Sequence, residues 1–156
     1  MRALTLIVAG FTLVELLVAV AIMALISAVA IPFYTQYSLR AFRSEAQADL
    51  MVCGQALERF ASVNFSYLNA ADTDADGAGD ADAGPIARAV CAPISVAEGR
   101  YDITVDATVA GFVLTATPMG QMIDDGFMTF DSAGGRAWDQ NDDGDTGDAG
   151  EQDWRE

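Results

Sequence analysis

The chain has no histidine, no lysine and only two cysteines in 156 residues. Without histidine, the commonest general base and the commonest neutral metal ligand are missing. No serine sits in a nucleophile-elbow or phosphate-loop context either, so no catalytic constellation can be assembled and an enzyme is not expected. Without lysine, all eight positive side chains are arginines, set against 23 carboxylates for a net charge of −15. Phosphate contacts need clustered Arg or Lys, so direct nucleic-acid binding is not expected. An acidic surface suits solubility or cations. Cys53 and Cys91 admit two readings. In an extracytoplasmic domain an isolated pair forms a disulfide, here closing a loop of 37 intervening residues and worth about 4 kcal/mol on the chain-entropy estimate. Alternatively, Cys53 is a free thiol buried on an apolar stripe.

What the chain does have is one long apolar run. From Phe11 to Ile31 there are 21 residues, of which only Thr12, Glu15 and Ser27 are polar. At about 1.5 Å per residue a helix of that length spans about 30 Å, the thickness of a bilayer core. A carboxylate inside such a span costs on the order of 2.5 kcal/mol or more and marks function, so Glu15 calls for a partner. A plain membrane anchor would let Glu15 snorkel to the interface. A secretory signal peptide would use the basic start Met1-Arg2 and the small residues Ala28-Val29-Ala30, but would carry a glutamate inside its apolar region.

Gly10 followed by Phe11-Thr12-Leu13-Val14-Glu15 resembles the processing site of a type IV prepilin. The resemblance implies that a membrane peptidase cuts between Gly10 and Phe11 and methylates the new amino terminus. It also implies that the helix then packs in a pilus core, with the leader cytoplasmic and the rest outside. A free α-amino group on Phe11 titrates near 7.7 to 8.0 and is cationic at neutral pH, a suitable partner for Glu15 in a low-dielectric filament core. Cleavage would also remove Arg2 and bring the net charge to −16, from seven arginines and 23 acids.

A length of 156 residues leaves room for one soluble domain of about a hundred residues behind the helix. Pro32 should kink the helix or melt a turn, at a cost of about 3 kcal/mol. Beyond it, Phe42, Ala46, Leu50, Cys53, Leu57 and Phe60 recur at spacings of three and four, the stripe of an amphipathic helix. Arg40, Arg43, Glu45, Gln47, Asp49, Gln55 and Arg59 fill most of the other face. One helix from Phe11 to about Ser62 is expected, its second half packed on a sheet. Tyr101–Asp106, Gly111–Pro118 and Phe127–Phe130 read as three strands of an antiparallel meander, the last ending before the turn at Gly134-Gly135. This segment is similar to PilE-like pilins, in which a tyrosine strand and a GF-x-L-T-A-T-P strand form such a sheet. Many relatives staple the C-terminal region with a disulfide; here no cysteine stands beside Gly126 or Trp154.

Nineteen of the 23 acids follow Phe65, and two stretches repeat a pattern. Asp72, Asp74, Asp76 and Asp80 stand in D-x-D-x-D-G-x-x-D; Asp139, Asn141, Asp143 and Asp145 stand in D-x-N-x-D-G-D. Oxygens at every second position converge on one cation when a glycine allows a sharp turn, and Ca²⁺ takes six to eight oxygens. The glutamate of the twelfth EF-hand position is replaced by Ala83 in the first stretch and by Gly150 in the second, where Glu151 is adjacent. Solvated, disordered acidic sequence is the competing reading.

The expected fold class is α+β, a long N-terminal helix packed on an antiparallel sheet of three to four strands. The segments are a leader at 1–10, a membrane or filament-core helix at 11–37, an amphipathic half at 38–65, an acidic loop region at 66–100, the sheet at 101–138 and an acidic tail at 139–156. The function implied is a structural subunit of a type IV pilus, assembled through Phe11, Glu15 and Pro32. Its partners are copies of itself, the prepilin peptidase, the inner membrane and the pilus assembly machinery, and its destination is the bacterial surface. A secretion-system pseudopilin or minor pilin is the alternative within the class, and a secreted calcium-binding domain the alternative outside it.

Overall fold

The computed structural model describes residues 11–155. Gly10 therefore lies outside the described residues. Helix α1, Leu13–Asn64, opens with a cap: the Thr12 hydroxyl accepts a hydrogen bond from the Glu15 amide at 3.2 Å, satisfying one of the donors that a helix start leaves open. Through Ser38 the chain forms one compact unit, and from Leu39 onward a second. In the first, every side chain from Phe11 to Tyr37 is exposed. An 18-residue window there has a mean hydropathy of 2.7, long and apolar enough to cross a membrane. The expected melted turn at Pro32 is absent, since the residue lies inside α1. Proline removes a single N–H from the ladder, the one that would reach the Ala28 carbonyl, and the helix runs on through it.

The second unit contains the core. Ala46, Leu50, Cys53 and Leu57 of the stripe are buried, with Phe42 and Phe60 half-buried at its ends. They share one cluster with the inward residues of an antiparallel sheet in the order β1 (Ala83–Pro85), β2 (Tyr101–Ala107), β3 (Phe112–Pro118), β4 (Met128–Asp131), β5 (Arg136–Trp138). Burial alternates along β2 and β3, and the register sets inward residues opposite one another, as in Ile103↔Ala116, Val105↔Leu114 and Ala107↔Phe112. Each large side chain removed from water in this way contributes about 1.5 to 3 kcal/mol. Gly54 permits the close approach of helix and sheet, because a β-carbon there would lie 2.5 Å from the Phe130 ring.

Five strands replace the expected three to four. β1 reads Ala-Gly-Pro and β5 reads Arg-Ala-Trp, too short to alternate, so their pairing is decided by the neighbours β2 and β4. The 66–100 region likewise is not all loop, since it holds β1 and the short helix α2, Ile94–Ala97. Asp49 departs from the outer face assigned to it. It is buried and accepts hydrogen bonds from the Ser95 amide and hydroxyl, each at 2.7 Å. Pro93 at the start of α2 supplies no side-chain cap, and Asp49 takes that place from another helix.

Candidate assembly helix and acidic loops

The assembly candidates lie on the first unit. Phe11 is 79% exposed, and Glu15, on the first turn of α1, is the only charged side chain from Phe11 to Ser38. Pro32 sits later in the same exposed apolar surface.

In the second unit, Cys53 of α1 and Cys91 form the expected disulfide, with Cα atoms 5.3 Å apart. A polar node missed by the sequence reading stands elsewhere in the unit. Arg43 grips Asp125 through Nε at 2.9 Å and through Nη2, and its guanidinium lies 4.0 Å over the Trp138 ring. The Tyr101 hydroxyl donates to the same carboxylate at 2.5 Å, and Trp138 Nε1 donates to the Asp125 carbonyl at 2.7 Å. Burial, reinforced by the Asp125 carboxylate, pushes the Tyr101 phenol far above its ordinary value, with Arg43 opposing in part. Helix α1, strands β2 and β5 and the segment before β4 thus meet at one acid. No spacing rule points to it, since its members are far apart in sequence. A smaller node joins Arg100 to Glu45 and Glu98, with the guanidinium 4.0 Å over Phe42.

Of the first four candidate metal ligands, Asp72, Asp74 and Asp76 come together, each offering a carboxylate oxygen within 4.8 Å of the others. Asp80 does not join them; it accepts from the Thr73 amide at 2.9 Å and from its hydroxyl. Backbone amides fold the loop inward, with Ala75 and Gly77 donating to the two oxygens of Asp72 at 2.7 Å each. In the C-terminal stretch Asp139 is fully buried, accepting from the amides of Asp143 at 3.1 Å and Gly144 at 3.0 Å. The Asn141 amide group donates to Asp143 and Asp148, and Asp145 accepts from Gly147. Glu151 enters this loop as a second buried carboxylate and accepts from the Gln140 amide at 3.1 Å. Trp154 closes the segment, donating from Nε1 to the Ala137 carbonyl at 3.0 Å and stacking obliquely on Phe130.

A helix that is apolar and exposed in its first part and amphipathic on an antiparallel sheet in its second defines a pilin-type subunit. Residues 3–31 match the prokaryotic N-terminal methylation motif. Residues 32–129, well over half of the chain, match the family described as "Type IV minor pilin ComP, DNA uptake sequence receptor", and the chain belongs to that family. No curated protein and no solved structure matches it. Its function is structural, that of a type IV pilus subunit, and the secretion pseudopilin and secreted calcium-binding alternatives are not favoured. A pilin with a prepilin motif has the processing peptidase and the pilus assembly machinery as partners.

Proposed function

We propose that the chain is inserted in the bacterial inner membrane, cut between Gly10 and Phe11, methylated, and polymerised with copies of itself into a surface pilus. In this reading the Glu15 carboxylate meets the Phe11 amino group of a neighbouring subunit. The observation that carries it is the run of exposed apolar side chains from Phe11 to Tyr37, interrupted by one acid. Left in water, each large member forgoes about 1.5 to 3 kcal/mol of burial, so the surface needs lipid first and other helices afterwards. A lone carboxylate in that setting needs a counter-ion, and the new amine is the nearest in kind. The test is mass spectrometry of sheared filaments together with a Glu15→Ala variant. Methylated Phe11 at the filament subunit's terminus, and a variant that reaches the membrane but not the filaments, are the expected results. Normal filament yield from Glu15→Ala would overturn the pairing.

The strand pattern from Tyr101 to Pro118 supports a PilE-like subunit, whereas the matching family is described as a minor pilin. The stoichiometry of this chain in sheared filaments separates the two. The family description also names a DNA uptake sequence receptor. That description sets a DNA-binding role against the expectation drawn from composition: the chain is acidic, and Arg43 and Arg100 are engaged with carboxylates, whereas Arg59 and Arg88 of the matched region are exposed. Salt-dependent retardation of duplex DNA by the purified chain would support the role that the family description names, and its absence would support the expectation from composition.

Ca²⁺ is the cation we assign to Asp72, Asp74 and Asp76, and to the C-terminal loop of Asp139, Asn141, Asp143 and Asp145 with Glu151 beside them. The support in the first loop is the gathering of three carboxylates; in the second it is the sequence pattern, since no three of its carboxylates gather in the same way among the described residues. Their oxygens are of the kind this ion takes.

A further inference from the structure

Asn64, the last residue of α1, is followed by Phe65 and Ser66, and Asn-x-Ser with any residue but proline between is the acceptor pattern for a sugar on an asparagine amide. The other two asparagines, Asn69 and Asn141, are followed two positions on by Ala71 and Asp143, so the chain carries this pattern once. Such a pattern is usable only on a surface that a transferase can reach. The fold puts it on one. Asn64 is exposed, and Phe65, 89% exposed, takes φ +57°, so the chain turns out of the helix between the amide and the hydroxyl. Tyr67 anchors the turn, its ring packed on Phe112 with centroids 5.3 Å apart and its hydroxyl donating to Glu58 at 3.0 Å. The Ser66 hydroxyl accepts from the Leu68 amide at 3.1 Å and keeps its own proton to donate.

Beside the acceptor amide lies a depression of about 490 Å³. Asn64, Ser66 and Asn69 give it carboxamides and a hydroxyl, Phe60 and Leu68 give it an apolar wall, and none of its lining residues is charged. On a chain with net charge −15, that lining favours a neutral polyhydroxyl group over an ion. Asn64 Nδ2 donates to the Phe60 carbonyl at 3.0 Å. A carboxamide nitrogen carries two hydrogens, so a substituent can replace one while the other keeps this bond.

We propose that Asn64 is N-glycosylated and that the first sugar unit rests in this depression. The proposal rests on the reading that places the globular unit outside the cytoplasm. The donor is an oligosaccharide carried on a polyprenyl diphosphate. The Asn64 nitrogen forms a bond to the anomeric carbon, the bond from that carbon to the diphosphate oxygen breaks, the diphosphate leaves with the electron pair, and the amide gives up one proton. No oxidant or reductant takes part. The bulky, solubilising group also shields Phe65 and Val63, the latter 75% exposed.

The test is intact-mass and peptide-fragment mass spectrometry of the full chain recovered from its own cells, unaltered and as Asn64→Gln, Ser66→Ala and Ser66→Thr. The expected result is a mass above that of the polypeptide by a whole number of sugar residues, with the added mass on Asn64. Asn64→Gln and Ser66→Ala lose it, whereas Ser66→Thr, which keeps the hydroxyl, retains it, and that rescue separates modification from a folding defect. A chain taken from filaments at the bare polypeptide mass overturns the modification and leaves the subunit role standing. Sugar that persists in Asn64→Gln sits on another residue and overturns it as well. A chain that never reaches the outer face of the membrane and carries no sugar removes the reading beneath the proposal, and the proposal with it.

Discussion

The Asp125 carboxylate holds the Arg43 guanidinium in a fork, one bond from Nε at 2.9 Å, across 82 residues of sequence. Both side chains are largely shielded, with 13% and 9% of their surface exposed, so the pair behaves as a buried one. Removing the arginine takes two hydrogen bonds from a shielded carboxylate. Arg43→Ala is expected to destabilise the protein by about 3 kcal/mol. Arg43→Lys should fall between, since it keeps the charge and loses the fork. Thermal unfolding of the purified chain in detergent checks both, and a melting temperature unchanged in Arg43→Ala would show the fork to be dispensable.

The Tyr101 phenol gives this node a pH signature. Its folded-state value is raised well above the ordinary 10.0, so the stability it contributes is complete below pH 10. Above that pH the unfolded chain releases the proton and the folded one does not, so stability falls as pH rises. The slope is about 1.4 kcal/mol per pH unit for this group. Tyr101→Phe is expected to be less stable at neutral pH by about 1.5 kcal/mol, having lost a bond to a charged acceptor, and to show a shallower decline above pH 10. Melting temperatures of the two proteins between pH 8 and 11 test this; parallel curves would contradict it.

Gly126 has φ +70°, and a β-carbon added there would lie 1.7 Å from the Asp139 carbonyl oxygen. Backbone cannot yield as a side-chain tip can. Gly126→Ala is therefore expected to cost about 2 kcal/mol or more and to loosen the start of the C-terminal loop. Faster amide exchange at Asp139, whose amide bonds the Phe127 carbonyl at 3.0 Å, is the local readout.

Calcium provides the fourth prediction. At a hundredfold excess over its dissociation constant, an ion that binds only the folded chain adds about 2.7 kcal/mol. Millimolar Ca²⁺ should raise the melting temperature relative to chelator, and Asp72→Asn with Asp76→Asn should shrink the difference. Coincident curves with and without the cation would leave both loops as solvated acid.

Local pattern carried a large part of this protein. A 21-residue apolar run opening with Phe-Thr-x-x-Glu needs no tertiary context to be read as a spanning or filament helix, because length and hydropathy alone meet the bilayer condition. The stripe from Phe42 to Phe60 and the alternation in β2 and β3 were legible for the same reason, since the 3.6 and 2.0 periods are properties of single elements. The disulfide needed only two cysteines in one domain. Other features depended on chain segments remote from one another. β1 and β5 are strands only because β2 and β4 offer them a ladder. Asp49 is buried where it bonds Ser95 of α2, whose own N-cap Pro93 makes no side-chain cap, and Glu151 accepts from Gln140 eleven residues away. Arg43, Tyr101, Asp125 and Trp138 look unrelated along the chain, and packing brings them to one acid. Hydrophobic periodicity acts within a few turns or residues, whereas the satisfaction of a buried polar group is a property of whatever the complete fold places beside it.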